Sequence, residues 1–378
     1  METRDTRTWI AISARAARQN VKTIRGLLSP KTALWAVVKS NAYGHGIFVM
    51  PKLLSESGVD GFCVDTLLEG ARLREQGITK SILVLGLTLP QLFPLAQQHD
   101  IAITVSNFDA LACLLKVKNP PRFHLKLDTG MHRQGFFLDD LARVVQKVKS
   151  QKSKVKSLLS GIYTHFASAK DLNYPGYTDM QFADFLRGIA LLERAGFKKL
   201  IRHAAATGGA MIDKKYHLDA VRIGAGLYGI WPSKELEIQL PNVRLSPALS
   251  WHAIVGEVKP IQRGEYIGYN LVYRAPVRSK IAIIPIGYWH GFPFALSNTA
   301  EVLIRGRRAR VVGRVSMDMI TVDVGHIPNC RFGDEVVLIG AQGGAFIGAD
   351  ELARFVGASH NYEILTRLNP LIERVAVY

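Results

Sequence analysis

The chain has 378 residues, 48% of them hydrophobic, and a formal net charge of +17. That length and apolar content are enough for two domains with cores of their own, and no stretch of about 18 apolar residues is present to span a membrane. The N-terminus METRDTRTWIAISARAARQN is charged throughout, without the basic start and apolar run of a targeting segment, so a soluble, cytoplasmic protein with no membrane partner is expected.

Over the first 230 or so residues, short apolar strands alternate with amphipathic segments. Eight strands are predicted, in chain order LWAVVK (34–39), GFCVD (61–65), SILVLG (81–86), IAITVS (101–106), RFHLKLD (122–128), SGIYTHF (160–166), KLIRHAA (199–205) and AVRIGAGLYG (220–229). Stretches such as TLLEGARLREQG and LDDLARVVQKVK carry apolar residues near the helical period, and Asp139 and Asp140 stand where helix-start acids belong. Eight β-then-α units predict a TIM-like (β/α)8 barrel. A doubly wound sheet is the alternative, but the GxGxxG loop expected after its first strand is missing.

The texture changes after Trp231-Pro232-Ser233. From about Leu245 onward AIVGEVKPI, KIAIIPIGY, AEVLIRG, ARVVGRV, ITVDVG and EVVLIG follow one another with Gly, Pro and Arg-Gly turns, and one helix-like ADELARFVG comes late. We expect a barrel domain over 1–240 and a mostly β domain over 241–378, with the polar SKELEIQLPN at the boundary. Cys63, Cys113 and Cys330 lie far apart without a CxxC spacing, which excludes a disulfide framework or zinc site, and no metal is expected. Cys113, in LACLL, is read as core. The positive charge is spread along stretches such as VVQKVKSQKSKVKS (144–157) and forms no nucleic-acid module. It is read as a solvated surface that can draw anionic ligands, with no nucleic-acid partner.

A barrel enzyme carries its reactive groups at the C-terminal ends of its strands. Lys39 ends the first strand and enters a Gly-rich turn, AVVKSNAYGHG, with Tyr43 and His45. Such a lysine either exits into solvent or, desolvated, offers the neutral amine that condenses with an aldehyde. Lys126 and Asp128 end the fifth strand, with Arg133 close behind. His165 ends the sixth and His203 the seventh, and Arg222 sits in the eighth ahead of Gly224. Singly, His124 or His203 reads as a satisfied core histidine and Arg222 as an ion-pair partner. Their coincidence in one register reads as a site.

AVVKSNAYGHG closely resembles the pyridoxal-phosphate signature of alanine racemases. HLKLDTGMHRQGF is similar to that family's LDTGMGRLGF, YTHFASAKD to THFATAD, and AVRIGAGLYGIWPS to VRPGIALYGLxPS. EYIGYN, IPIGY, VGRVSMDM and NYEILTRLNPLIERV resemble its remaining signatures, in order, from Lys39 to Val375. The resemblance implies pyridoxal 5'-phosphate as cofactor. Lys39 would hold it covalently and act as one of two acid–base groups, with Tyr269 as the other. Tyr269 would come from a partner subunit, making a head-to-tail homodimer with composite sites. The phenol, with an ordinary pKa near 10, needs cationic neighbours to serve as a base. The resemblance supplies them as His165, which would meet the phenol, and Arg222, which would contact His165.

Arg222 would also face the pyridine nitrogen, to which a guanidinium cannot readily give a proton. Tyr43, Thr207, Gly224, Ala225 and Tyr362 would contact the phosphate, and Leu85 would flank the cofactor. Arg133 and the backbone N–H of Met317 would take the substrate carboxylate, the Met317 side chain itself reading as strand core. Lys126 matches a lysine often carried as a carbamate, which would pair with Arg133; the alternative is a plain amine. Tyr288 would line the entrance. Tyr266 is assigned no chemistry.

Three departures from the family pattern stand out. GYWHGFPF places Trp289 and His290 where a small residue and an aspartate are usual, implying an entry channel of different shape and charge. HAAATGGA places Ala206 where an asparagine is usual and Thr207 where a serine is usual. HRQG places His132 and Gln134 around Arg133. The function expected is racemisation of L- and D-alanine by two bases, supplying D-alanine for peptidoglycan. The alternatives are a racemase of serine or another small amino acid, a barrel decarboxylase and a non-catalytic binder of the cofactor. Arg222 argues against the decarboxylase, which would keep a glutamate there. The second domain and Tyr269 argue against the binder.

Overall fold

The computed structural model describes residues 6–150, 153–358 and 360–378. The chain forms two compact units, one of residues 15–42 and 50–247, the other of 1–14, 43–49 and 248–378.

The first unit is built on eight parallel strands, Ala33–Val37, Gly61–Val64, Ser81–Val84, Ala102–Val105, Phe123–Lys126, Leu159–Tyr163, Ile201–His203 and Ala220–Ile223. The first seven pair in sequence order, and the last pairs back onto the first, with Trp35 opposite Arg222. The remaining seam is bridged by the Asp219 N–H on Arg202 O at 3.0 Å and the Arg222 N–H on Ala205 O at 2.9 Å, so the sheet closes. Every residue of the 61–64, 102–105, 123–126 and 220–223 strands is buried, the continuous burial expected of strands covered on both faces. All eight sequence-predicted barrel strands are present.

Local chemistry sets where the helices begin. Thr66 and Glu69 form a reciprocal capping box on Leu67–Glu75. Asn107 accepts from the Ala110 N–H at 2.8 Å to cap Phe108–Lys116. Cys113 lies on that helix partly exposed, not in the core as its apolar setting implied, because the helix turns Leu111 and Leu114 inward instead. SKELEIQLPN is largely helical, Lys234–Gln239, capped by the Ser233 hydroxyl on the Leu236 N–H at 3.2 Å.

The second unit has two sheets. In the larger, the strand order is Arg307–Arg310, Glu301–Ile304, Glu335–Gln342, Leu249–Ile254, Thr8–Ser13, Glu373–Val377, with Ala345–Ile347 added to Glu335–Gln342. The smaller runs Glu257–Ile261, Ser279–Ile284, Ile320–Asp323. Leu249–Ile254 alternates buried and half-buried residues, as a sheet with one covered face does. Thr8–Ser13 is an interior strand that the sequence reading did not count. It pairs antiparallel with Leu249–Ile254 and parallel with Glu373–Val377.

Inside the barrel, alternate residues point to the axis, and bulk there is balanced by glycine. A Cβ on Gly161 would lie 2.4 Å from the His124 ring, and one on Gly61 would lie 2.9 Å from Trp35. The Gly161→Ala variant is therefore expected to lose about 1–3 kcal/mol of stability by overpacking, read as a lower denaturant midpoint. An unchanged midpoint would contradict this packing.

Candidate active site

The sequence-predicted barrel residues converge on the C-terminal ends of the strands. Lys39 follows Ala33–Val37 by two residues, and its segment leaves the strand in an unusual way. Ser40, Asn41, Ala42 and Tyr43 all have φ between 52° and 56°, a left-handed run that costs roughly 1–2 kcal/mol per residue. The Ala42 N–H donates to Val38 O at 2.9 Å. The Glu69 carboxylate accepts from the Ser40 N–H at 2.6 Å and from the N–H groups of Asp65 and Thr66 at 2.9 and 3.2 Å. Of the two readings open for Lys39, the structure shows exit toward solvent. Its side chain is 39% exposed, and the ammonium lies 3.5 Å from Asp65, because the left-handed turn lifts it to the rim.

Arg222, 2% exposed, is the electrostatic centre. Nη1 donates to His203 Nδ1 at 2.7 Å, and Nη2 donates to Thr164 O at 2.7 Å, Ala204 O at 2.9 Å and His165 Nδ1 at 3.3 Å. Arginine is always a donor, so both imidazoles must accept on Nδ1 and carry their proton on Nε2. His203 Nε2 lies 2.8 Å from His124 Nδ1, which continues the same sense of donation. Burial, then repulsion from Arg222, Arg133, Lys126 and Lys39, holds His165 down to about 3. His124 is likewise pulled to about 3 by burial first, then Arg122 and Arg222. These imidazoles are neutral at pH 7. The contact of His165 with Arg222 is present, but the positive charge resides on Arg222 alone. Tyr163, missed by the sequence reading, stacks on His203 at 4.8 Å and carries the guanidinium 5.0 Å from its ring centre. The period-2 spacing of Gly161 and Tyr163 was the available signal.

Lys126 is buried and donates to Gln134 Oε1 at 3.2 Å. Burial, then the charges of Arg133 and Arg222, brings its amine down to about 8, against the pull of Asp128. Asp128 organises the turn that carries Arg133. One oxygen accepts the N–H groups of Gly130, Met131 and His132, each at 3.0 Å, and the other accepts that of Arg133 at 3.1 Å. Burial alone would raise its carboxyl, but these donors hold it below the ordinary range.

Three residues assigned to the phosphate lie together at the barrel mouth. Thr207 opens the Thr207–Ile212 helix, whose N-cap is Ala206, with no side-chain cap. The Gly226 N–H donates to the Thr207 hydroxyl at 3.4 Å, which brings the Gly224–Ala225 turn against it. Leu85 is held by its N–H on Val64 O at 2.8 Å. The other two residues that the resemblance assigns to the phosphate lie in the β unit, where Tyr43 and Tyr362 meet edge to face at 5.9 Å.

Also in the β unit, Tyr269 stands at the tip of a loop closed by the Ile267 N–H on Tyr273 O at 3.0 Å, and it is 70% exposed. Leu271 beside it is exposed too. Met317 belongs to no strand and no core. It is 53% exposed, in a turn closed by the Ser316 N–H on Met319 O at 3.0 Å. A Cβ on Gly287 would lie 2.3 Å from Met317 O, so only glycine lets the Tyr288 segment approach. The Tyr288 and Trp289 N–H groups then donate to Ser316 O and Met317 O, both at 3.0 Å. Tyr288 is partly exposed. His290 stands apart from these exposed residues. It is buried, its Nδ1 accepts the Gly287 N–H at 3.1 Å, and burial lowers its pKa.

The donor set fits the cofactor that the resemblance implies. A phosphorylated pyridine aldehyde asks for an amine, for hydroxyl and N–H donors, and for a hydrogen-bonding group toward its ring nitrogen. Lys39, then Thr207 with the Gly224–Ala225 backbone, then Arg222 supply that chemistry within the barrel unit. No cluster of residues suited to a metal ion exists among the described residues.

Known proteins resemble this chain along almost its whole length. The family description "Alanine racemase, N-terminal domain" matches residues 12–232, and "Alanine racemase, C-terminal domain" matches 248–376. An alanine racemase of Leptospira interrogans is 35% identical over 98% of this chain and 96% of its own. The structure of alanine racemase from Bacillus anthracis with bound L-Ala-P superposes with a TM-score of 0.92 at 32% identity, covering 100% of this chain and 96% of that one. A histidine racemase from Leuconostoc mesenteroides superposes with a TM-score of 0.83 at 29% identity, over 100% of this chain and 99% of that one.

The Arg133 turn yields a direct test. Asp128→Asn keeps the shape but sets an amide N–H₂ against one backbone donor. A loss of about 1.5–3 kcal/mol at pH 7 is expected, the range for hydrogen bonds to a charged group. Because the folded pKa is depressed, this stabilisation is present above the ordinary carboxylate range and is lost as pH falls through the folded pKa. The wild-type advantage in denaturant midpoint must shrink on acidification. A gap independent of pH would contradict the assignment.

Proposed function

The chain belongs to the alanine racemase family, and from that membership we propose a pyridoxal-phosphate-dependent enzyme in which Lys39 and Tyr269 work from opposite faces of the amino acid. The cofactor, when bound, supplies the electron sink that makes the α-proton removable. Lys39 would anchor it and move a proton on one face. Tyr269, exposed at a loop tip beside Leu271, would be presented to a second copy of the chain and move a proton on the other face, in a homodimer. The observation that carries the reading is the Arg222–His165 contact at 3.3 Å. It turns the His165 Nε2–H into a donor backed by a permanent cation, the arrangement that stabilises a phenolate.

Arg222 has no proton to release at neutral pH, which would leave a ring nitrogen facing it unprotonated. Thr207, Gly224, Ala225, Tyr43 and Tyr362 are assigned to the phosphate, with Leu85 as apolar flank. Arg133 and the Met317 N–H are assigned to the substrate carboxylate, and Tyr288 to the entrance. Alanine is the proposed substrate, D-alanine for the cell wall the proposed purpose, and the cytoplasm the proposed location.

The test is purified protein supplied with pyridoxal phosphate and a panel of L-amino acids, followed by chiral analysis. Alanine should racemise fastest, and Tyr269→Phe should lose at least about a hundredfold in rate, the scale of general acid–base catalysis. Faster turnover of serine would move the substrate, and full activity in Tyr269→Phe would end the two-base assignment.

Lys126 is proposed to carry a carbamate, since an amine with a pKa of about 8 is neutral in roughly a tenth of molecules at pH 7 and in about nine-tenths at pH 9. With ¹³C-bicarbonate, a carbamate carbon signal should grow with pH and vanish in Lys126→Ala. Its absence at pH 9 would leave a plain amine held by Gln134.

A further inference from the structure

One charged side chain of the β unit has no part in the chemistry above. Arg374 lies in the Glu373–Val377 strand, half-buried. Its Nη1 donates to Asn369 O and Ile372 O, both at 2.6 Å, and its Nη2 to Leu368 O and Gly44 O, both at 3.2 Å. Its Nε reaches Gly44 O again at 3.3 Å. Burial alone lowers its pKa, to about 10. The acceptors around it are carbonyl oxygens, so the charge is matched by backbone dipoles from two distant parts of the chain.

Those carbonyls belong to two particular places. Gly44 directly follows Tyr43, and Leu368 and Asn369 follow the Tyr362–Thr366 helix. Packing tightens the link. A Cβ on Gly44 would lie 1.9 Å from Leu365 O, and one on Gly46 would lie 3.2 Å from Arg374 Cγ. The segment after Tyr43 is thus held between the end of the Tyr362 helix and the Arg374 side chain. The two tyrosine rings emerge edge to face at 5.9 Å.

We propose that Arg374 is a positioning residue that fixes Tyr43 and Tyr362 as an anion-holding pair, so that it acts on the cofactor's phosphate without touching it. This rests on the assignment of both tyrosines to that phosphate. Lysine in its place has one ammonium centre and lacks the planar fork that reaches four carbonyls at once. Methionine keeps the length and loses every donor.

The experiment compares binding of pyridoxal phosphate with binding of pyridoxal, which lacks the phosphate. Cofactor-stripped wild type, Arg374→Lys, Arg374→Met and Tyr43→Phe are each measured by absorbance and protein fluorescence. Arg374→Lys should weaken binding of the phosphate ester about tenfold, one hydrogen bond's worth of free energy, and change pyridoxal binding less than about twofold. Combining it with Tyr43→Phe should give less than the product of the two single losses, because both act on one group. Equal weakening of both ligands, together with a lower melting temperature, would overturn the proposal and leave Arg374 a packing residue. Unchanged binding of both ligands in a folded variant would overturn it as well. If wild type itself bound the two ligands equally, the phosphate assignment of the tyrosines would fail, and the proposal with it. Because the preference is a ratio within each protein, a partly destabilised Arg374→Met still reports.

Discussion

A guanidinium buried at the mouth of a closed barrel, with only neutral acceptors around it, governs the chemistry of this site. Arg222 donates its hydrogen bonds to two imidazoles and two carbonyls, with no carboxylate among these partners. A fixed donor leaves its partners no choice of tautomer. His165 and His203 must accept on Nδ1, and both rings must stay neutral, since a second positive charge in the same low-dielectric space would be repelled. The barrel thus projects a hydrogen-bond donor at His165 Nε2 with a permanent charge behind it. Any group placed against that donor is stabilised as an anion.

The rim around this centre depends on backbone conformations that are unfavourable by themselves. The left-handed run after Lys39 is held by Glu69, and the turn before Arg133 by Asp128. In each case one carboxylate gathers several N–H groups, and a charge-assisted cluster offsets the local cost. Both clusters fix a cationic residue by fixing the peptide beside it. The β unit uses the inverse device. Arg374 gathers carbonyls and so orders the two segments that carry Tyr43 and Tyr362.

Much of the barrel was legible in the sequence because its strands are apolar runs ending in chemistry-bearing residues, and strand ends are where a parallel barrel gathers its site. Arg222, His203 and His165 could be placed on those ends without coordinates. What the pattern could not give was the sense of the hydrogen bonds between them, which decides charge. It also left three side chains open or misplaced. The strand end left Lys39 open to either solvent exit or desolvation, and the left-handed turn carries it to the rim. Met317 follows a strand-like stretch but sits in a turn that Gly287 admits. His290 stands in for an acid usually found there, yet a backbone N–H captures its ring. Thr8–Ser13 was missed because six residues framed by charges give no turn signal, although in the fold it is an interior strand of the larger sheet, paired on both sides.

The most direct measurement is ¹⁵N NMR of the side chain of His165 in the wild-type protein, followed from pH 5 to pH 9. A neutral ring with its proton on Nε2, unchanged across that range, is the result the Arg222 contact requires. A ring that gains a second proton near pH 6.5, or that carries its proton on Nδ1, would mean that Arg222 does not donate to it and that the account of the site is wrong.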